Sequence, residues 1–529
     1  MMIKLRLYIA VVLLLFTRLA TAQVTFPAID VQHYRFNITL NDENDTIKGS
    51  AAITIKFLAD VSQLQLNLVK KNSSGKGMLV NSVTENGKEL NFTQDDDLLN
   101  ITSPAKSNSS HTYTINYSGI PADGLIISTN KFGHRTFFGD NWPNRAHNWL
   151  PCADYPSDKA PLDMIVTAPD HYTVVSNGIK VSEIEKPNHT KTTHWQETVP
   201  LPTKVMIIGV ADFAVQQSGM VNGVPVYSYV FPENKEQGFK SYAYAPEILA
   251  FYDKKFGPYD YQKLANVQSK TIFGGMENSS AIFYFENSVI SKGVEELMAH
   301  EIAHQWFGDA ITEKSWRNLW LSEGFATYMT NYYLENKYGE DTLKTRMKAD
   351  RRKVLRFEKS RMTPVVDSAV TTNFTQLLNA NSYEKGSWVL HMLRRKLGDS
   401  VFWRGIRTYY AQYKNRNDNT DDFRQVMEQA SGIDLKPFFT QWLNTPGHPA
   451  LAIEWKYDDD KKAIDIHITQ QQDNLYQLTL ELKTGAQLNT INIKDKETTV
   501  SIPAAAKPEN VIADPNVNLL AGFEVQEQK

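Results

Sequence analysis

Cysteine is almost missing from this 529-residue sequence. Cys152 stands alone, so no disulfide can form within the chain and its stability has to come from packing. An excess of one charge is missing too. Lys and Arg number 56 against 59 Asp and Glu, a formal net charge of -3, and this removes any whole-chain electrostatic case for nucleic acid as a partner. There is no fixed-period repeat and no low-complexity tract, and beyond the N-terminus no apolar run approaches bilayer-spanning length. What is present is ordinary for a folded protein: 42% hydrophobic, 11% aromatic and 22% charged residues, in a length that suits about three or four domains.

Residues 1–22 have the layout of a secretory signal peptide. Lys4 and Arg6 lead, an apolar run from Leu7 to Phe16 follows, and Ala20-Thr21-Ala22 offers a small-x-small cleavage site. The expectation is an exported chain, periplasmic or extracellular, beginning at Gln23 and without a stable membrane span. An uncleaved anchor is the rival reading, opposed by Arg18 and by the shortness of the run. Triplets of the N-x-S/T type, as at Asn37, Asn72, Asn91, Asn100 and Asn116, matter only in a host that glycosylates exported proteins.

Residues 23–215 alternate in short segments: in Ala51 to Phe57, Ile53, Ile55 and Phe57 share one strand face. Over 216–447 the period becomes helical, with long stretches at Gly293 to Asp309, Leu319 to Tyr338 and Leu343 to Lys359. After a linker-like Pro446-Gly447-His448-Pro449, alternation returns over 448–529, first in Leu451, Ile453, Trp455 and Tyr457, then in Ile464, Ile466 and Ile468. The sequence is therefore expected to be a multidomain α+β protein. A β-rich block, a mainly helical block and a small β module follow one another.

The chemistry concentrates in His300-Glu301-Ile302-Ala303-His304. Positions four apart on a helix lie on one face, so two imidazoles can converge on a zinc ion with Glu301 beside them. A catalytic zinc takes three protein ligands and keeps one position open, and Glu323, nineteen residues after His304, fits the third place. Asp309, Glu295 and Glu296 are possible acceptors behind the imidazoles, each also readable as a solvated charge. With such a metal, Glu301 suits the role of general base in amide hydrolysis. Tyr383 is a candidate oxyanion stabiliser, although on residue type alone a packed aromatic is the simpler reading. Gly274-Gly275-Met276-Glu277 permits close backbone approach followed by a carboxylate, or is a plain turn.

Taken together, these segments closely resemble the M1 family of zinc aminopeptidases, the gluzincins that include leukotriene A4 hydrolase and aminopeptidase N. The resemblance rests on Gly274-Gly-Met-Glu-Asn278, His300-Glu-x-x-His304 with eighteen residues before Glu323, Tyr383-Glu-Lys-Gly386, Pro151-Cys152-x-Asp154, and Gln441-Trp442 leading to Pro446-Gly-His-Pro449. It implies a saddle-like N-terminal β domain, a thermolysin-like catalytic domain and a C-terminal β-sandwich. It also implies one Zn2+ on His300, His304 and Glu323, and a peptide with a free N-terminus as substrate. In that reading Gly274, Gly275 and Met276 contact the peptide, Glu277 holds its α-amino group and Tyr383 stabilises the oxyanion. Relatives carry a second amine anchor five residues before an Arg near the Pro-Cys element. Here that position, counted from Arg145, is Asp140, with a shorter side chain. Many relatives also continue into a helical domain that caps the site. The expectation for this chain, a short form, is an open cleft and weak dependence on peptide length.

The rival readings are a thermolysin-type endopeptidase, against which Glu277 argues, an epoxide hydrolase of the leukotriene A4 hydrolase type, and a non-catalytic scaffold, against which the intact zinc residues argue. The basic stretch Arg346, Lys348, Arg351, Arg352, Lys353, Arg356, Lys359 and Arg361 reads as a solvated helix face.

Overall fold

Alternating burial builds the first block. In the strand Ile47–Phe57, Ala51, Ile53, Ile55 and Phe57 are fully buried while the residues between them are partly exposed. This strand pairs with Ile29–Thr39 on one side and Ser110–Ile120 on the other, inside an eight-stranded sheet that begins at Ile179–Lys186 and ends at Lys88–Glu89. A four-stranded sheet, Thr173–Ser176, Ile208–Ala211, Arg135–Gly139 and Leu125–Thr129, belongs to the same block, and its Phe138 and Val175 share a core cluster with Phe231 and Phe283 of the next. The computed structural model describes residues 26–528. The leader expected over residues 1–22 lies outside them. Among the described residues no helix is long and apolar enough to cross a membrane.

The second block opens with a five-stranded sheet. Its strands are β1 (Ala214–Val221), β2 (Val224–Val230), β3 (Leu264–Ser269), β4 (Gly275–Met276) and β5 (Ala281–Phe285), in the order β1-β2-β3-β5-β4. Residue 215, where the first block is expected to end, falls inside a strand of this sheet. Helices follow: α1 (Val294–His304), α2 (Trp320–Tyr338), α3 (Glu340–Ser360) and α4 (Gly386–Leu397). α1 stops at His304 rather than running on to Asp309. Gly308 adopts φ 130°, a conformation that carries the chain back under the helix end.

The last block has two sheets. Ala450–Asp458 pairs with Ala463–Gln470, setting Trp455 opposite Ile466, in a four-stranded sheet, and Leu478–Thr484 is central to a three-stranded one. The Pro446 to Pro449 segment is not a free linker. Lys385 Nζ donates to Gly447 O at 2.6 Å and to Glu358 Oε1 at 2.7 Å, and Tyr476 OH donates to Gly447 O at 3.0 Å. The basic helix α3 is likewise not simply solvated: Arg351 pairs with Asp514 of the last block, Arg346 with Glu296 and Lys353 with Glu384.

Two lysines of the first block plug into the second. Lys204, with 1% of its side chain exposed, pairs at 2.8 Å with the fully buried Glu313. Lys159 Nζ donates to the carbonyls of Asp309 at 2.8 Å and Ala310 at 3.0 Å, just past the end of α1.

Candidate active site

α1 and α2 pack against each other and place His300, His304 and Glu323 around one point. One ligand atom from each lies within 4.8 Å of the others. The Nε2 atoms of His300 and His304 are 3.1 Å apart, and Glu323 Oε2 is 3.4 Å from the first and 3.3 Å from the second. His304 Nδ1 lies 3.1 Å from the carbonyl oxygen of Phe307. A carbonyl can only accept, so Nδ1 carries a hydrogen, and Nε2 is the nitrogen that faces the meeting point. Ser322 Oγ, also 3.1 Å from Nδ1, helps fix the ring. Glu323 Oε2 is buried with no hydrogen-bond partner. Two imidazole nitrogens and an orphaned carboxylate oxygen around one point form a donor set that suits zinc.

The field at this point calls for positive charge. Burial opposes the imidazolium of His304, yet Glu323, Glu277 and Glu301 together carry its pKa up to about 10. Burial, reinforced by Glu277, Glu323 and Asp309, holds the Glu301 carboxyl well above the usual carboxylate range, with His304 pulling it down. A divalent cation here would lower it.

Tyr383 sits on a π-helical turn, Asn381–Lys385, that leads into α4. Its ring lies nearly parallel to that of His300, with centroids 6.0 Å apart and planes 11° from parallel. Burial, then the nearby carboxylates, raise its phenol well above 10, so it stays a donor. What brings it there is a glycine crossing. A Cβ on Gly386 would stand 2.9 Å from the Cα of Gly324, so α2 and the start of α4 meet backbone to backbone.

These side chains line a cavity of about 280 Å³, together with Gly274, Gly275, Met276 and Glu277. β4 is the edge of its sheet, paired only with β5 through Gly275 opposite Tyr284 and Met276 opposite Phe283. Gly275 has a second reason to be glycine: a Cβ there would meet Glu301 Oε1 at 2.2 Å and Cδ at 2.5 Å. At Gly274 the nearest atom would be Leu297 Cδ1 at 3.9 Å. Glu277 is 5% exposed, and its Oε1 is buried without a partner.

Asp140 does not join them. It is fully buried and absent from the cavity wall, and both its oxygens are committed. Oδ1 accepts from Arg145 Nη2 at 2.5 Å, and Oδ2 accepts from Thr271 Oγ1 and the Ile272 amide, each at 3.0 Å. With its oxygens so engaged, the short carboxylate ties the first block to the loop between β3 and β4, and the expected second amine anchor is not among the residues that line the cavity. Nor do Glu295, Glu296 and Asp309 touch an imidazole. Glu295 is taken by Lys337, Tyr333 and Tyr338, Glu296 by Arg346, and Asp309 Oδ2 by Gln305. The sequence reading missed Gln305. Its Nε2 donates to Glu277 O at 2.7 Å and its Oε1 accepts from Ser280 N at 2.8 Å, joining α1 to the segment after β4. Its position directly after His304 was the one available signal.

The family model described as Peptidase M1 N-terminal domain matches residues 30–205, and that described as Peptidase family M1 domain matches residues 241–442. The chain belongs to peptidase family M1. It is similar to a leucyl aminopeptidase of Saccharolobus solfataricus, 24% identical over 443 residues that make up 80% of this chain and 54% of the relative. It is also similar to the human glutamyl aminopeptidase, 25% identical over 452 residues, 80% of this chain and 47% of the relative. A probable aminopeptidase 2 of Sulfurisphaera tokodaii is 29% identical over 322 residues, 58% of this chain and 41% of the relative. The chain spans about half the length of the relatives it matches. The β-rich first block and the helical second block fit the architecture of that family.

Proposed function

We propose that this M1 chain is a zinc aminopeptidase that removes the first residue from peptides with a free N-terminus. The observation that carries the reading is the convergence of His300, His304 and Glu323 within 4.8 Å, in the same cavity as the unpartnered Glu277 carboxylate. Zn2+ held by those three residues supplies Lewis-acid activation of water and of the scissile carbonyl. Glu301 takes a proton from the attacking water and returns it to the leaving amine. Tyr383, kept protonated by burial, donates a hydrogen bond to the carbonyl oxygen as charge builds on it. Glu277 pairs with the α-ammonium, and the free edge of β4 offers backbone groups to the peptide as an added strand. Glu277 supports this reading over a thermolysin-type endopeptidase, because a buried carboxylate at the amine seat disfavours a chain continuing through it.

The finer architecture belongs to the same reading: a saddle-like first domain, a thermolysin-like catalytic domain and a β-sandwich as the third. So does export to the periplasm or the exterior, supported by the leader pattern over residues 1–22. The relatives named as leucyl and glutamyl aminopeptidases show that family membership does not choose the first side chain. In this chain the remaining cavity wall is Trp142, Phe273, Leu297 and Leu378, which supports an uncharged apolar one.

The test is release of a chromophore from free and N-acetylated aminoacyl amides, with and without a chelator. Free substrates should be cleaved and acetylated ones refused, and the chelator should abolish turnover. Comparable cleavage of acetylated substrates would sink the aminopeptidase reading. Glu301→Gln should keep its metal while kcat falls by roughly 100-fold or more.

A further inference from the structure

A second cavity, of about 580 Å³, opens where the second and third blocks meet, and no residue lines both it and the cavity around Glu323. Its floor is apolar: Met392 and Trp442 come from the second block, Leu478, Ile493 and Leu519 from the third, and all five are buried. Its rim is basic. Arg395 and Lys396 belong to the last turn of α4, and Lys494 follows directly on the strand Gln487–Ile493.

Among the described residues, none of these three cations has a hydrogen-bond or ion-pair partner for its side chain. Two carboxylates whose fields reach Arg395 are paired elsewhere, Asp399 with Arg394 and Glu340 with Lys344. Glu481, in the same wall, accepts from Asn516 Nδ2 at 3.0 Å and from Asn518 Nδ2 at 3.2 Å. Three cations against that one carboxylate leave the described wall with two positive charges in excess. The helix dipole favours cations at the end of α4, but it gives Lys494 no reason to join them.

The independent observation is Trp442. Only 3% of it is exposed, its ring packs on Tyr476, and its indole N–H has no hydrogen-bond partner. Unlike the N–H groups of Trp316, Trp388 and Trp403, it is not sealed inside the protein, so it opens on the cavity that its ring lines. A donor so placed calls for an acceptor.

We propose that this cavity binds one organic anion with an apolar body, an acyl carboxylate or an alkyl phosphate. Its volume suits a small molecule, and its floor suits an alkyl chain of several carbons. The rim cations hold the anionic head, and the Trp442 N–H offers it a hydrogen bond. Charge and apolar surface are both needed, because the floor alone would take any alkyl chain and the rim alone any anion.

The experiment is isothermal titration calorimetry of the full chain with octanoate and with octyl phosphate. Saturable binding of about one ligand per chain is expected for at least one of them, and the tighter of the two identifies the head group. Octan-1-ol has the tail without the charge, and acetate has the charge without the tail. Each should bind at least about tenfold more weakly. Lys396→Glu combined with Lys494→Glu changes two exposed side chains, and should weaken binding by about tenfold or more while leaving the thermal melt unchanged. A measurement that needs no variant is salt: raising it from about 50 to 500 mM should weaken octanoate and leave octan-1-ol alone. No saturable binding of either anion, equal affinity for octan-1-ol, indifference to salt, or undiminished binding by a folded double variant each overturns the site. Binding that vanishes when the chain is stripped of metal belongs to the cavity around Glu323 and overturns it as well.

Discussion

Replacing Gly275 by alanine tests whether this glycine is there for Glu301. The added Cβ would lie 2.2 Å from Oε1, 2.5 Å from Cδ and 2.6 Å from Cγ of Glu301. Ordinary contact needs a retreat of the carboxyl group by about 1 Å, and a displacement of that size at a reacting group costs on the order of 100-fold in rate. The atoms that must move are the far end of a flexible side chain, so the fold should lose only about 1 kcal/mol, at the low end of overpacking costs. Alanine at Gly274 is the internal control. Its Cβ would find nothing nearer than Leu297 Cδ1 at 3.9 Å, and since the position lines the cavity, its effect should appear in KM rather than kcat. The assay is steady-state hydrolysis of a leucyl amide by both variants, with metal content and thermal unfolding measured on the same samples. A folded, metal-loaded Gly275→Ala enzyme with kcat within about threefold of the native value would refute the reasoning.

Gly386→Ala forces α4 away from Gly324 and should lower stability by about 2 kcal/mol and reduce kcat through Tyr383, as read by thermal melts and turnover. Asp140→Asn removes the buried one of Arg145's two carboxylate partners, leaving the half-exposed Asp123 at 3.0 Å, and should cost about 2 kcal/mol; a rise in KM with unchanged stability would instead favour an amine-anchoring role. Burial pushes the Asp350 carboxyl up to about 6, the Asn331 hydrogen bond opposing and Glu384 assisting. The folded chain therefore holds a proton that the unfolded chain releases. The associated stability is complete below the ordinary carboxylate value and lost as pH rises through about 6. Asp350→Asn, which fixes the neutral form, should thus stabilise by roughly 2 kcal/mol at about pH 8 and by nothing near pH 3, as read by denaturant unfolding. Among aminoacyl amides, leucyl should exceed glutamyl in kcat/KM by about tenfold or more, because the cavity wall offers no cation to an acidic side chain; parity would show that another surface holds the side chain.

What the sequence made legible was whatever a local period dictates. His300 and His304 had to share a helix face, and Ile53, Ile55 and Phe57 had to share a strand face, because 3.6 and 2 are properties of the backbone. Glu323 was readable because its helix must return against the first. Contacts between segments distant in sequence were not readable. Asp140 looked like a free carboxylate, yet its partners Thr271 and Ile272 lie in the loop between β3 and β4, and nothing in its neighbourhood announces them. Gly275 looked like a place for substrate backbone, while the side chain pressing on it comes from α1. Lys385 and His448 read as motif residues and prove to meet on Glu358 of α3. The basic run on α3 reads as solvated until Asp514 and Glu296 are seen opposite it.

The two lysines that cross from the first block also decide how this molecule can be divided. Glu313 sits wholly inside the second block, and the cation it is hydrogen-bonded to belongs to the first. Cutting the chain ahead of β1 would strand that carboxylate in a nonpolar interior and leave the backbone carbonyls after α1 without the ammonium of Lys159. The second block is therefore not a portable module. A chimera that grafts it onto a foreign partner must carry a lysine at both of these places, and the two halves should melt in a single cooperative transition.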